Sequence, residues 1–128
     1  MLIEIKGEVF RNKTIAFHQG LNVVIGCEIA SNSIGKSNLL LIIDFVFGGK
    51  EYLSHSKDVI KELGNHEFYF CFEFSGIKYF FARGTENALS VYACDYKYRK
   101  VKEHSLDNFN LFLQKNTLLI TPTQHLGH

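Results

Sequence analysis

Apolar and polar positions alternate over residues 1–6, with Ile3 and Ile5 on one face and Glu4 and Lys6 near the other, the period-two signature of a half-buried strand. Gly7 and Glu8 break the alternation. A short second stretch, residues 14–17, runs into a turn at His18, Gln19 and Gly20. Leu21, Asn22, Val23, Val24 and Ile25 follow, apolar almost throughout and rich in β-branched side chains, which predicts a central strand buried on both faces. Residues 26–35 are small or polar and end at Gly35. Residues 36–47 are apolar nearly all round, as in a helix covered on several sides, and Gly48 and Gly49 supply its stop. Residues 50–65 read as a polar loop with a helical turn over 57–63, set off by Gly64.

The second half changes period. Residues 66–74 and 77–83 alternate strongly around Ser75 and Gly76, a hairpin pattern, and after a turn at 84–88 a third strand is expected at 89–94. The chain carries twelve Phe, six Tyr and no Trp, concentrated between Phe68 and Tyr98, where a sheet is their natural place. Lys97, Arg99, Lys100 and Lys102 then interleave with Tyr96 and Tyr98. A weakly helical stretch at 106–113 and an apolar run at 118–120 close the pattern.

With 128 residues, 46% of them hydrophobic and 21% charged, the chain is the size of one domain and can bury a core. A formal net charge of +1 creates no global field toward nucleic acid or an anionic membrane, so a DNA role would need a local patch or a partner segment. Cys27, Cys71 and Cys94 are odd in number, widely spaced and not preceded by a signal sequence, which reads as reduced thiols in a cytoplasm. The apolar run from Leu39 is interrupted by Asp44 and falls far short of the roughly 20 residues a spanning helix needs, so no membrane segment is expected.

The chemistry-bearing feature is Gly35-Lys36-Ser37, placed between the expected buried strand and the apolar helix. In a phosphate loop the backbone amides at a helix start converge on one cavity, where their partial charges and the helix dipole hold phosphate oxygens. Lys36 would reach the terminal phosphates. Ser37 would place its hydroxyl on the bridging magnesium ion, and Gly35 admits the backbone without a clashing Cβ. Gly-x-x-x-x-Gly-Lys-Ser asks for a first glycine where this chain has Ala30, and Gly26, four residues earlier, suggests a longer loop whose cradle begins at Asn32. The bland alternative is a strand, a polar turn and a helix capped by Ser31 or Asn32, with no ligand.

Residues 15–26 (Ile-Ala-Phe-His-Gln-Gly-Leu-Asn-Val-Val-Ile-Gly) and 32–40 (Asn-Ser-Ile-Gly-Lys-Ser-Asn-Leu-Leu), with Phe45-Val46-Phe47-Gly48 closing the helix, resemble the start of ATPase heads in the RecF, RecN and structural-maintenance-of-chromosomes group. Ser33 makes the loop most similar to that of the DUF2326-type bacterial ATPases. The resemblance covers about the first 95 residues. It implies an α/β fold: the amino-terminal lobe of an ABC-type P-loop NTPase head, a mixed sheet with the P-loop helix plus an antiparallel β subdomain. The chain would be a single but incomplete head, with a strand, P-loop and helix core at 1–50, the β subdomain at 66–102 and an irregular tail at 103–128.

The resemblance further implies ATP and magnesium as ligands, held by Asn32, Ser33, Ile34, Gly35, Lys36, Ser37 and Asn38, with Ser37 on the metal. A basic or polar residue after the first strand, at Arg11, Asn12 or Lys13, would touch the nucleotide. Hydrolysis in such heads needs a Walker B strand ending in Asp-Glu and a signature motif; neither occurs in this sequence, so an ATPase activity is expected only in a full-length setting. Implied partners are a second copy or a complementary lobe, and DNA in that setting. Two alternatives stand beside this reading: a non-hydrolysing P-loop scaffold, or a β-rich nucleic-acid-binding module in which Gly-Lys-Ser is accidental. Asp44 is either a site residue facing the cradle or a solvated or hydrogen-bonded acid on the helix. His104, His125, His128 and Cys94 carry only a weak metal pattern.

Overall fold

A computed structural model describes residues 1–10, 14–17 and 36–120. Six strands form one sheet: β1 (Leu2–Gly7), β2 (Thr14–Ala16), β3 (Glu67–Phe74), β4 (Ile77–Gly84), β5 (Ser90–Cys94) and β6 (Lys100–Ser105). Their order is β2-β1-β3-β4-β5-β6, and each adjacent pair is antiparallel. The helices are α1 (Lys36–Val46), α2 (Glu51–His55), α3 (Lys57–Leu63) and α4 (Leu106–Ile120).

Register explains which face is covered. Ile15, Ile5, Phe70, Phe81 and Ala93 lie across from one another on successive strands, and Phe68, Phe72 and Phe74 follow at period two along β3. All therefore point to one side, as strand geometry demands. Onto that side α1 lays Leu39, Ile42, Phe45 and Val46, none more than 1% exposed. Beside it α4 lays Leu106, Phe109 and Leu113, at the i, i+3, i+7 spacing of one helix face. Phe109 sits 5.1 Å from Phe81 and 6.0 Å from Phe70 between ring centres, and Phe45 5.9 Å from Phe68. Aromatic edges meeting faces at these distances add to the area term.

The other side of the sheet carries Glu4, Lys6, Tyr69, Cys71, Phe80, Tyr92 and Cys94, the alternate positions of the same strands. The β5–β6 connection folds back over it. Tyr98, at φ 63°, packs edge-on against Phe80 and Tyr69, receives the Lys6 ammonium at 5.2 Å from its ring, and donates to Glu4 Oε2 at 2.6 Å. A bulky residue in the left-handed region is held there only by such surroundings.

Three expectations change. Residues 1–7 and 67–94 do not belong to separate sheets: β1 is hydrogen-bonded to β3, because both strands offer apolar positions to the same helices. Within the irregular tail expected over 103–128, the described residues instead form the end of β6 and the 15 residues of α4. Within the expected polar loop, residues 51–55 form α2, anchored by the buried ring of Tyr52. The strand expected at residues 21–25, which would carry the parallel component of a mixed sheet, lies outside the described residues.

Burial on the outer face gives a pH dependence. Desolvation, with Glu4 adding to it, pushes the Cys71 thiol up to about 11; desolvation likewise pushes Cys94 up to about 11, against the opposing pull of Lys100. An unfolded thiol loses its proton near pH 9 while the folded one keeps it, so the unfolded state gains between pH 9 and 11 and stability falls as pH rises. Cys71 alone, 1% exposed, should contribute a loss of about 2 kcal/mol across that window. Urea unfolding at pH 8 and at pH 11 should show this decline, and Cys71→Ala should reduce it by about that amount, the rest being shared with Cys94; an equal decline in that variant would assign the effect elsewhere.

Candidate functional site

Helix α1 is described from Lys36 onward, so Lys36, Ser37 and Asn38 belong to a helix. Ser37 and Asn38 are exposed on its first turn, and Leu39, fully buried, pins that turn to the sheet. Arg11, Asn12, Lys13, Asn32, Ser33, Ile34 and Gly35 lie outside the described residues, as do Gly26 and Ala30.

Asp44 resolves differently from Ser37. It lies seven residues further along α1, about 10 Å down the axis, and its Oδ2 accepts from the Glu51 amide at 3.3 Å. It is a hydrogen-bonded acid near the far end of the described helix.

That far end is the most heavily built polar centre of the described residues. Arg83, fully buried on the inward register of β4, donates from Nη1 to the carbonyls of Phe45 and Gly49, both at 2.7 Å, and from Nε to Ala88 O at 2.9 Å. Its guanidinium lies 4.0 Å above the Phe45 ring. Burial pushes its pKa down to about 10 while Asp44 holds it up, so it stays charged at neutral pH. Sequence reasoning passed over Arg83. The signal was present: period two places residue 83 on the same face as Tyr79 and Phe81, where a cation needs a partner.

An open cleft of about 600 Å³ lies where β1 leaves the sheet, bordered by Lys6, Gly7, Glu8, Thr14, His66 and Tyr69. His66 is fixed in its wall: Nδ1 donates to Gly64 O at 2.8 Å, leaving Nε2 to accept the Tyr52 hydroxyl at 2.7 Å.

The basic stretch is largely spent internally. Arg99 Nε meets Asp95 Oδ2 at 2.8 Å and Lys100 Nζ meets Glu67 Oε2 at 2.6 Å, leaving Lys97 and Lys102 as its remaining cations. Among the described residues no three His, Cys, Asp or Glu side chains gather as metal ligands, and no helix is long and apolar enough to cross a membrane. His125 and His128 lie outside the described residues. No protein-family model, curated protein or solved structure matches the chain.

Proposed function

We propose that the chain is the ATP- and magnesium-binding amino-terminal lobe of a cytoplasmic P-loop ATPase of the DNA-repair or chromosome-maintenance type, unable to complete hydrolysis by itself. One observation supports the reading: Lys36 and Ser37 belong to a helix, described over Lys36–Val46, that is clamped to a sheet along its apolar side and leaves Ser37 exposed. In a phosphate loop the positive end of such a helix would face the phosphates. A second copy or a complementary lobe would supply the carboxylates for water activation; Leu40, half-exposed on α1, belongs to the surface such a partner would cover.

Titration with mant-ATP tests this directly. Binding should require magnesium, weaken by about tenfold or more in Lys36→Ala, and lose its magnesium dependence in Ser37→Ala. Affinity indifferent to Lys36→Ala would remove the reading. Steeply salt-dependent single-stranded DNA binding, with no nucleotide binding, would put the β-rich nucleic-acid module in its place.

A further inference from the structure

Helix α1 is held in two different ways along its length. At its start the hold is apolar, through Leu39 and Ile42; at its end it is polar, through Arg83. The carbonyl of Phe45 is one of the last four of the helix, which lack partners within the helix and form its negative pole. The Gly48 amide reaches that carbonyl at 3.1 Å, and Arg83 Nη1 adds a second bond to it from a strand 38 residues further along the chain. The same nitrogen binds Gly49 O, and Nε binds Ala88 O beyond the end of β4. A planar fork tied to three separate segments leaves the helix end little freedom to slide or rotate. Nη2 has no hydrogen-bond partner among the described residues, so the group is kept buried at a cost that its three bonds offset.

We infer that Arg83 is a positioning residue for the phosphate-facing first turn of α1: by clamping the carbonyl end of the helix to β4 and to the Gly49 corner, it sets where Lys36 and Ser37 stand. This rests on the nucleotide-binding reading above. An 11-residue helix is about 16 Å long and stiff, so a shift at one end is carried to the other. Phosphate binding by converging amides depends on placement at the ångström level.

The test uses the full chain and mant-ATP with magnesium, at a temperature where far-UV circular dichroism shows every variant folded. Arg83→Met, which keeps bulk but removes the fork, should bind about tenfold more weakly. Arg83→Lys, which restores the charge and a single donor group, should recover part of that loss. Phe109→Leu, in the core but with no part in the Arg83 hydrogen bonds, serves as the control: it should lower thermal stability and leave affinity unchanged. Normal affinity in folded Arg83→Met, or an equal loss in Phe109→Leu, overturns the inference. If Arg83→Met does not fold, Arg83→Lys decides, with wild-type affinity counting against a positioning role. Should the wild type bind no nucleotide, both readings fall. Should Lys36→Ala abolish binding while the Arg83 variants bind normally, only this inference fails.

Discussion

Phe72→Ala should cost the folded chain about 3–5 kcal/mol, the largest stability loss expected from a single side chain in this structure. Phe72 is fully buried where three elements meet. Its ring stacks on Phe74 with centroids 5.7 Å apart, meets Phe70 edge-on at 5.8 Å and Phe47 at 5.1 Å, and comes within 6.4 Å of Phe109 on α4. Truncation would open a void bounded by sheet, α1 terminus and α4, and rigid aromatic neighbours collapse poorly into such a space. Urea unfolding should show a lower midpoint with unchanged slope, and the melting temperature should drop by about 10–15 °C. Phe72→Leu should lose much less. A loss below about 1 kcal/mol for the alanine variant would show that this ring is not at the centre of the core.

Gly48→Ala should cost about 2–3 kcal/mol, through two separable effects. Gly48 stands at φ 95°, a conformation that side-chain-bearing residues adopt only with strain. A Cβ there would also clash with the Asn110 carboxamide oxygen of α4. The second effect is relievable because the obstacle is the end of a side chain. In a double-mutant cycle, Asn110→Ala should therefore recover the steric part of the loss and leave the backbone part, roughly 1–2 kcal/mol, in place. Full recovery would mean that the left-handed backbone at residue 48 is not required. This corner also connects the binding reading to the fold, since the neighbouring Gly49 accepts from Arg83 and its Cα faces the Asp44 carboxylate.

Much of the sheet was legible because its strands alternate strictly. Phe68, Phe70, Phe72 and Phe74 declare one face of β3, and Ser75 with Gly76 declares the turn to β4. β6 was not legible as a strand. Lys100, Val101, Lys102, Glu103, His104 and Ser105 show no apolar face, since an edge strand held by backbone bonds to β5 buries almost nothing. Its lysines are the kind of side chain that keeps an edge from pairing further. The five residues of α2 are too few to display a helical period, and only the burial of Tyr52 marks them. At the candidate site, a helix after residue 35 could be read from the apolar run there. The role of Asp44 could not, because its partner is the backbone of Glu51 rather than a side chain with a recognisable type.

By itself the sequence determined the local periods: the alternation of β1, β3, β4 and β5, the apolar run of α1, and which face of β3 is apolar. These depend on neighbours within a few residues, and a linear pattern records them. Only the tertiary structure decided that β1 joins β3 in one antiparallel sheet, that α4 shares its apolar face with α1, that Tyr98 closes the outer face, and that Arg83 clasps the end of α1. Those are long-range choices among strands and helices with interchangeable apolar faces. The energy that selects between them comes from packing and from buried hydrogen bonds between residues tens of positions apart, which no local pattern contains.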